Sequence, residues 1–185
     1  MPARRPPVVV FSGPSGSGKT TLLVKLIPAL MARGLTVAAL KHSGHPHSFD
    51  RPGKDSARLR RAGAIAVALE GPDELAYFGP PVRKLRALAA LLPPCSIVVA
   101  EGFREAHLPR VLVHRGPKRL EPPRSRRGEV IAVVSDVEVP LPVPRFSRSE
   151  VEGLADFLAH FAGARRRGSR PWARARASPS RWAER

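Results

Sequence analysis

The chain has 185 residues, enough for one ordinary domain with a buried core. No apolar stretch approaches the roughly 18 residues that span a bilayer, and the first residues lack a signal-peptide pattern, so we expect neither a membrane protein nor a secreted one. The single cysteine, Cys95, excludes an internal disulfide framework and a zinc site of the paired-cysteine type. This cysteine usage fits a cytoplasmic protein.

The formal net charge of +17 is concentrated in two segments. From Ala162 to Arg185 there are eight arginines and one glutamate, and Arg115–Arg127 holds six Arg or Lys residues and one glutamate. Both segments are rich in Pro, Gly and Ser, a composition typical of solvated loops and tails. We therefore expect one folded domain over residues 1–161 and a disordered arginine-rich tail over residues 162–185. Such a tail could bind nucleic acid by counterion release, and nothing else in the chain favours nucleic acid.

The apolar pattern predicts alternating strands and helices. Continuous β-branched runs indicate buried strands, and apolar residues at helical spacing indicate helices. In chain order we predict strand Pro7–Ser12, helix Thr20–Arg33 closed by Gly34, strand Leu35–Leu40, a polar loop His42–Gly53, helix Asp55–Ala62, strand Ala64–Leu69, helix Val82–Leu92, strands Ser96–Ala100, Pro109–His114 and Glu129–Ser135, and helix Ser147–Phe161. This alternation predicts an α/β fold with a mainly parallel sheet and helices on both faces.

A glycine-rich segment between the first predicted strand and helix carries the strongest chemical signal. It reads Gly13-Pro14-Ser15-Gly16-Ser17-Gly18-Lys19-Thr20, a full match to G-x-x-x-x-G-K-[ST], and Thr21 follows it. The glycines let backbone N–H groups wrap phosphates, the Lys19 ammonium reaches the β- and γ-phosphates, and the Thr20 hydroxyl can ligate Mg²⁺. The segment therefore predicts a P-loop that binds a nucleoside triphosphate with magnesium.

Glu101 is the candidate acidic partner for that metal. It follows the buried strand Ser96–Ala100 at the carboxyl edge of the sheet, where ligands bind in such folds. Glutamate has one more methylene than the usual aspartate, so Glu101 could reach the metal through a water. The other interpretation is a surface acid at a strand end.

Lys41 and His42 leave the second predicted strand at the same edge. They could face the nucleotide or a second phosphate-bearing ligand. His42, His45 and His47 could in principle hold a metal, but no cysteine or paired spacing supports this, and exposed loop histidines are the alternative.

Asp136 ends the strand Glu129–Ser135. A carboxylate there could accept hydrogen bonds from the ring N–H and the exocyclic amine of guanine, which adenine does not offer. Because the familiar N-K-x-D form is absent, Asp136 is either a guanine-binding residue or an acid that merely ends a strand.

Together these segments resemble the molybdopterin-guanine dinucleotide biosynthesis protein B (MobB) family, from Val8 to about Phe161. The resemblance is carried by the P-loop and by Lys41-His42, Asp50-Arg51-Pro52-Gly53-Lys54-Asp55-Ser56, Arg61-Ala62-Gly63-Ala64, Val99-Ala100-Glu101-Gly102-Phe103, Ile131-Ala132-Val133-Val134-Ser135-Asp136 and Val151-Glu152-Gly153-Leu154-Ala155-Asp156-Phe157-Leu158.

The resemblance implies a P-loop NTPase that binds GTP and Mg²⁺, has weak GTPase activity and forms a homodimer. It also implies an adaptor or nucleotide carrier for the MobA-like guanylyltransferase that joins GMP to molybdopterin. Carried over by position, Gly13 to Thr20 would hold phosphates and magnesium, Glu101 would serve the metal, and Asp136 would lie near the base. Lys41, His42 and Lys54 to Ser56 would line the site or a second anion site.

The expected reaction is slow attack of water on the γ-phosphate of GTP. Lys19 would stabilise the developing charge, and Glu101 or Asp55 would orient the water. An arginine that speeds such reactions is not assigned by the sequence; the candidates are Arg58, Arg60, Arg61 and Arg104.

Two other functions stay open at this level. One is a P-loop kinase that phosphorylates a small molecule, and the other is a nucleotide-gated nucleic-acid-binding protein driven by the basic segments. The kinase would need an acceptor pocket and usually a helical lid with arginines. The Pro/Gly-rich Arg115–Arg127 segment does not have the pattern of such a lid.

Overall fold

The computed structural model describes residues 5–43, 49–82, 84–116 and 128–166. Its elements are β1 (Val8–Ser12), α1 (Lys19–Met31), β2 (Val37–Lys41), α2 (Asp55–Arg61), β3 (Val67–Glu70), β4 (Leu75–Phe78), α3 (Leu85–Ala89), β5 (Ile97–Glu101), β6 (Arg110–Val113), β7 (Val130–Val134), β8 (Arg145–Phe146) and α4 (Val151–Arg166). Every predicted helix and strand has a counterpart among these elements, with shifted ends.

A parallel sheet forms the centre of the described structure. Six strands pair in the order β2-β5-β1-β6-β7-β8, and each neighbouring pair runs parallel. The central strands β1 and β5 consist almost wholly of buried apolar residues, because both faces of the sheet are covered. The order places the segments that follow β5 and β6 on either side of the segment that follows β1.

Helices cover the sheet on both faces, as predicted. On one face, Leu26 and Leu30 of α1 and Leu158 of α4 share a core with Val9 and Phe11 of the central strand. On the other face, the core is completed by Leu85 and Ala89 of α3, which pack with residues of β1 and β5. The predicted α/β fold with a mainly parallel sheet is therefore confirmed.

The predicted third strand, Ala64–Leu69, corresponds to β3, which does not join the main sheet. The observed strand β3 pairs antiparallel with β4, which the apolar pattern did not predict, and the two form a separate two-stranded sheet. A tight turn joins them, in which the Gly71 N–H donates to the Glu74 carbonyl oxygen. A connection this short permits an antiparallel pair but no parallel one.

The prediction that Glu129–Ser135 is the last strand was also wrong. The short strand β8 follows, and it pairs parallel with the end of β7. Its two residues are too few to produce a periodic pattern, and prolines at 142 and 144 conceal it further.

Several predicted ends differ for local reasons. Strand β2 begins at Val37 rather than Leu35, because the Leu35 N–H still bonds back to the Leu30 carbonyl and completes the turn that closes α1 at Gly34. Helix α3 is shorter than the predicted Val82–Leu92, in a segment flanked by prolines on both sides.

Helix α4 begins and ends later than the predicted Ser147–Phe161. The residues before it form a separate turn, in which the Glu150 carboxylate accepts the Ser147 N–H at 2.6 Å. At the other end, the buried Ala162 and Ala164 keep the helix packed against the core, so it continues to Arg166. The remaining tail residues and most of the Arg115–Arg127 segment lie outside the described residues.

The chain divides into two compact units. One contains the described residues up to His42 and from Lys84 onwards, and the other contains those within Ser43–Arg83. The first unit holds the parallel sheet with α1, α3 and α4, and the second holds α2 and the β3–β4 pair. Within the described ranges, no helix is both long and apolar enough to cross a membrane.

Candidate functional site

The segment Gly13–Thr20 links β1 to α1 as a tight loop. Gly16 and Gly18 adopt φ angles of 73° and 85°, in the left-handed region that side-chain-bearing residues avoid. A β-carbon on Gly13 would lie only 2.1 Å from the Val113 carbonyl oxygen, so the loop starts pressed against β6. Each glycine of the motif therefore meets a backbone requirement, and the loop is closely wrapped.

Lys19 lies across this loop from the first turn of α1. Its Nζ donates to the carbonyl oxygens of Pro14 at 2.7 Å and Gly13 at 3.1 Å, and to Ser17 Oγ at 3.4 Å. Burial lowers the pKa of Lys19, although the Glu101 charge acts in the opposite direction. Neutral carbonyl groups are the direct partners of this ammonium, so an anionic phosphate oxygen would be a stronger acceptor for it.

Thr20, Glu101 and Lys41 form a polar cluster beside the loop. The Thr20 hydroxyl donates to the Glu101 carboxylate, with oxygen separations of 2.8 and 2.9 Å. Lys41 Nζ donates to Thr20 Oγ1 at 3.3 Å and lies 3.7 Å from Glu101 Oε1. Glu101 is the last residue of β5 rather than the residue after it, and its side chain is only 13% exposed.

This cluster fits a magnesium ion. A hydroxyl oxygen and a carboxylate are hard oxygen ligands, and Mg²⁺ commonly uses one or two protein carboxylates together with phosphates and waters. No group of three or more His, Cys, Asp or Glu side chains suited to a metal occurs in the described part of the chain. A magnesium ion bound here would therefore take its other ligands from a nucleotide and from water.

His42 supports the backbone around Glu101. Its N–H donates to the Glu101 carbonyl oxygen at 2.9 Å, and its ring lies against Phe103 with centroids 5.3 Å apart. Of the other loop histidines proposed from the sequence, His45 and His47 lie outside the described residues.

The remaining predicted loop residues differ in exposure. Ser17 is buried, and its N–H donates to the Pro14 carbonyl oxygen at 3.3 Å. Ser15 and Thr21 are exposed at the loop and on the first turn of α1. They are accessible to a ligand.

Asp55 belongs to the second unit, where it is the first residue of α2 and pairs with Arg58 at 3.1 Å. In the same unit, Asp50 is buried and accepts the Ser56 hydroxyl at 2.7 Å, and Arg60 lies 3.5 Å from its second oxygen. Asp50 and Ser56 therefore connect the two ends of the Asp50–Ser56 motif, and Arg58 and Arg60 pair with its acids.

An open groove of about 570 Å³ lies in the second unit, beside this motif. Charged residues at its wall are Asp50, Arg60 and Arg61, and the remainder is mostly proline, alanine and Ile65. Two of the four arginine candidates therefore face this groove.

Asp136 lies just beyond the end of β7 and is bound by Arg148. The Arg148 N–H donates to one carboxylate oxygen at 2.9 Å, and its Nε donates to the other at 2.5 Å. These hydrogen bonds lower the pKa of Asp136 below its usual value, so the group is ionised at neutral pH. Each carboxylate oxygen can still accept a further hydrogen bond.

Sequence reasoning assigned no specific role to three polar residues at this edge of the sheet, Arg104, Ser12 and His114. Arg104 donates to the Gly13 carbonyl oxygen at 3.3 Å, whereas the sequence named it only as one arginine among four. Ser12 and His114 are buried at the ends of β1 and β6, and within the described residues their side chains have no hydrogen-bond partner. The available signal was a polar residue at the end of a predicted apolar strand.

The fold and the site define a class of protein. A parallel sheet with a phosphate-binding loop between β1 and α1, and an acid at the end of the adjacent strand β5, is the arrangement of a P-loop NTPase. The family model described as molybdopterin guanine dinucleotide synthesis protein B (MobB) matches residues 8–136. The chain belongs to the MobB family, and the predicted family resemblance is confirmed.

Relatives and solved structures agree with this membership. The chain is 37% identical to the molybdopterin-guanine dinucleotide biosynthesis adapter protein of Escherichia coli strain K12, over 84% of this chain and 93% of that protein. The adapter protein of Haemophilus influenzae is 36% identical, over 86% and 93% of the two chains. The crystal structure of Bacillus subtilis MobB superposes with a TM-score of 0.65 at 25% identity, covering 83% of this chain and 96% of that one.

A relative with a different activity is also similar. The adenylyl-sulfate kinase of Chloroflexus aurantiacus is 33% identical over 85% of this chain and 87% of that protein. The P-loop fold is common to many activities, so this similarity bears on function through the site rather than through the fold.

Proposed function

We propose that this protein is a cytoplasmic adapter in molybdopterin-guanine dinucleotide biosynthesis that binds GTP with Mg²⁺ and hydrolyses it slowly. It would act, as a homodimer, with a MobA-like guanylyltransferase that attaches GMP to molybdopterin. The adapter role is supported by the two curated relatives named as adapters of this process. The observation that carries nucleotide binding is the contact of the P-loop hydroxyl of Thr20 with the Glu101 carboxylate.

Different residues of the first unit would bind the phosphates and the magnesium ion. The loop N–H groups and the Lys19 ammonium would bind the β- and γ-phosphates, and Thr20 and Glu101 would hold the magnesium. The bound Mg²⁺ would neutralise charge on the phosphate oxygens. A water oxygen would then bond to the γ-phosphorus while the bond to the bridging oxygen of GDP breaks, and Glu101 could accept a hydrogen bond from that water.

Slow turnover suits an adapter better than a metabolic catalyst.

Asp55, the second predicted candidate for orienting the water, pairs with Arg58 within its own unit. Its participation remains part of the proposal, and an Asp55→Asn variant would test it by comparison with wild-type hydrolysis.

Guanine preference would come from Asp136. Its carboxylate is ionised and held in place by Arg148, so it can accept hydrogen bonds from the ring N–H and amine of guanine. Adenine has no such pair of donors on that edge. An acceptor fixed this way would favour guanine over adenine, because only guanine offers donors for the acceptor positions that Arg148 leaves open.

The second candidate function is a small-molecule kinase, because a curated relative carries that activity. It would use ATP, and it would need a hydroxyl acceptor close to the P-loop. The two functions therefore differ in nucleotide preference and in whether the γ-phosphate goes to water or to an acceptor.

Titration calorimetry of GTP and ATP, each with Mg²⁺, tests the proposal. We expect GTP to bind more tightly, Lys19→Ala to lose binding of both nucleotides, and Asp136→Asn to lose the preference. Glu138→Gln, a change of a nearby exposed acid, is the matched control for Asp136→Asn. Equal affinity or tighter ATP binding by the wild type would contradict the guanine assignment and favour the kinase.

The adapter role needs its own assay. GMP attachment to molybdopterin by a MobA-like enzyme should accelerate when the wild-type protein and GTP are added, and Lys19→Ala should not accelerate it. If the two proteins give the same rate, the P-loop has no role in the adapter function.

A further inference from the structure

The chain itself brings an arginine to the P-loop. Arg104 follows β5 by three residues, and its terminal guanidinium nitrogen donates to the Gly13 carbonyl oxygen at 3.3 Å. Lys19 donates to the same oxygen at 3.1 Å. Two cations therefore meet at one neutral acceptor, an arrangement that phosphate oxygens would satisfy better than a carbonyl does.

An unusual backbone turn directs Arg104 to this position. Gly102 and Phe103 have φ angles of 92° and 43°, and Phe103 is the one non-glycine residue with a positive φ in the described chain. A residue with a side chain adopts the left-handed region only at an energetic cost, and such strain concentrates at functional sites. A β-carbon at Gly102 would come within 3.2 Å of His42, so the first of these two positions also requires glycine.

The buried Arg110 side chain stabilises this turn through hydrogen bonds to its backbone. Arg110 is only 3% exposed, and one of its terminal nitrogens donates to the Ala106 carbonyl at 2.7 Å and the Arg104 carbonyl at 3.2 Å. The Ala106 N–H in turn donates to the Phe103 carbonyl at 2.9 Å. Burying a guanidinium costs stability, and here it fixes the backbone carbonyls of Arg104 and Ala106.

Electrostatics agree with this geometry. Burial lowers the pKa of Lys19, and the charges of Arg104 and Lys41 lower it further, whereas Glu101 opposes them. Cations that repel one another around a loop create a positive field that a polyphosphate would relieve.

We infer that Arg104 is a catalytic arginine supplied in cis, whose guanidinium leaves the Gly13 carbonyl and donates to the oxygens of the transferring γ-phosphoryl group. This inference rests on the proposed GTP hydrolysis. Water remains the nucleophile and GDP the leaving group, and the arginine stabilises charge without exchanging a proton. The planar guanidinium can donate two parallel hydrogen bonds to a phosphoryl group, which an ammonium cannot.

The test compares hydrolysis and binding in full-length Arg104→Ala, Arg104→Lys and wild-type proteins. Single-turnover GTP hydrolysis should fall about 100-fold or more in Arg104→Ala, the usual effect of removing one transition-state donor, and Arg104→Lys should recover little of it. Affinity for a non-hydrolysable GTP analogue should change less than about 10-fold, whereas affinity for GDP with aluminium fluoride should fall with the rate. Arg86→Ala, which removes an exposed arginine on α3, is the matched control.

The outcomes separate this inference from the proposed function. If the wild type binds no GTP, both are overturned. If it binds GTP without hydrolysing it, the inference and the proposed hydrolysis are both overturned, whereas the proposed GTP binding stands. If Arg104→Ala hydrolyses GTP at the wild-type rate, the inference alone is overturned. A loss of rate that a matching loss of analogue affinity fully explains would make Arg104 a binding residue and also overturns it.

Discussion

At the scale of single residues, Glu101 connects the first turn of α1 with the end of β2. Its carboxylate accepts the Thr20 hydroxyl, and its backbone carbonyl accepts the His42 N–H. The sequence placed Glu101 at the correct edge because a carboxylate after a buried apolar run can lie only where the strand emerges. Its partner Lys41 was predicted at the same edge because it leaves the second predicted strand there. The structure adds that β2 and β5 are neighbours whose carboxyl ends coincide.

Glu101→Gln should weaken nucleotide binding that depends on magnesium. The amide keeps the size of the side chain but loses the charge, so we expect a loss of about 10- to 100-fold, the equivalent of roughly 1.5–3 kcal/mol for a hydrogen bond to a charged group. Calorimetry with Mg²⁺ and with a chelator measures it. Glu74→Gln, in the β3–β4 turn, is the control. An equal loss in the presence of chelator would show that Glu101 does not act through the metal.

Arg104 and Arg110 mark the limit of prediction at this scale. The sequence lists Arg104 beside three other arginines of equal merit, and two of these, Arg58 and Arg60, pair with acids in the second unit. Arg110 opens a strand that otherwise reads as apolar, which favours an exposed strand end, yet the side chain is buried. Both positions depend on a turn whose shape no local pattern specifies.

At the scale of elements, the P-loop depends on close packing between β1 and β6. Gly13 has no room for a side chain, since a β-carbon would overlap the Val113 carbonyl oxygen and approach Ser17 Oγ at 2.9 Å. Gly34, which closes α1, has a positive φ of 74° but open space around it. A substitution at Gly13 therefore introduces steric overlap, whereas a substitution at Gly34 introduces only backbone strain.

Gly13→Ala should abolish GTP binding, because the loop must move away from β6 to accommodate the methyl group. Gly34→Ala should retain binding and lose only about 1–2 kcal/mol of unfolding free energy, the cost of a left-handed residue. Calorimetry and urea unfolding on both variants measure the two effects. If Gly13→Ala binds GTP like the wild type, the loop is more adaptable than the packing indicates.

Helices α1 and α4 are joined by an ion-pair cluster. Arg33 donates to Asp156 at 2.6 Å and to Glu152 at 2.8 Å. The hydrogen bond from Arg33 lowers the pKa of Asp156 below its usual value. Because the folded pKa is the lower one, the stabilising contribution is present above about pH 4 and is lost as pH falls through the folded pKa.

Asp156→Asn should therefore destabilise the protein at neutral pH and have no effect in acid. The loss at pH 7 should be below about 1 kcal/mol, because both acidic side chains are largely exposed and solvent screens them. Urea unfolding of both proteins between pH 7 and pH 3 measures the difference, with Asp73→Asn in the hairpin turn as control. A difference that persists unchanged at pH 3 would mean that Asp156 acts by packing and not by charge.

At the scale of the whole molecule, the folded chain extends further than its composition indicates. The arginine-rich composition begins near Ala162, yet α4 continues to Arg166 because Ala162 and Ala164 complete its apolar face. Composition averages over a window and cannot detect two small residues that continue a helical period.

A chain ending at Arg166 should bind GTP and unfold as the full-length protein does. A chain ending at Phe161 should unfold at a lower temperature, because it loses the last turn of α4 with its buried alanines. Differential scanning calorimetry compares the three lengths. Any affinity for DNA or RNA should disappear with the tail in both shorter chains and fall steeply with salt in the full-length one. Nucleic-acid binding that survives truncation at Arg166 would place it on the folded part.

The sequence by itself determined the fold class, the P-loop and its acidic partner. These follow from patterns confined to short segments, namely β-branched runs, helical spacing and a glycine-rich motif. The structure confirms the backbone requirements of that motif at Gly13, Gly16 and Gly18. Tertiary structure alone decided that β3 pairs with β4 apart from the main sheet, that β8 extends that sheet, and that Arg104 reaches Gly13. Each of these depends on strand partners or on successive left-handed residues, and such non-local choices leave no periodic trace in the chain.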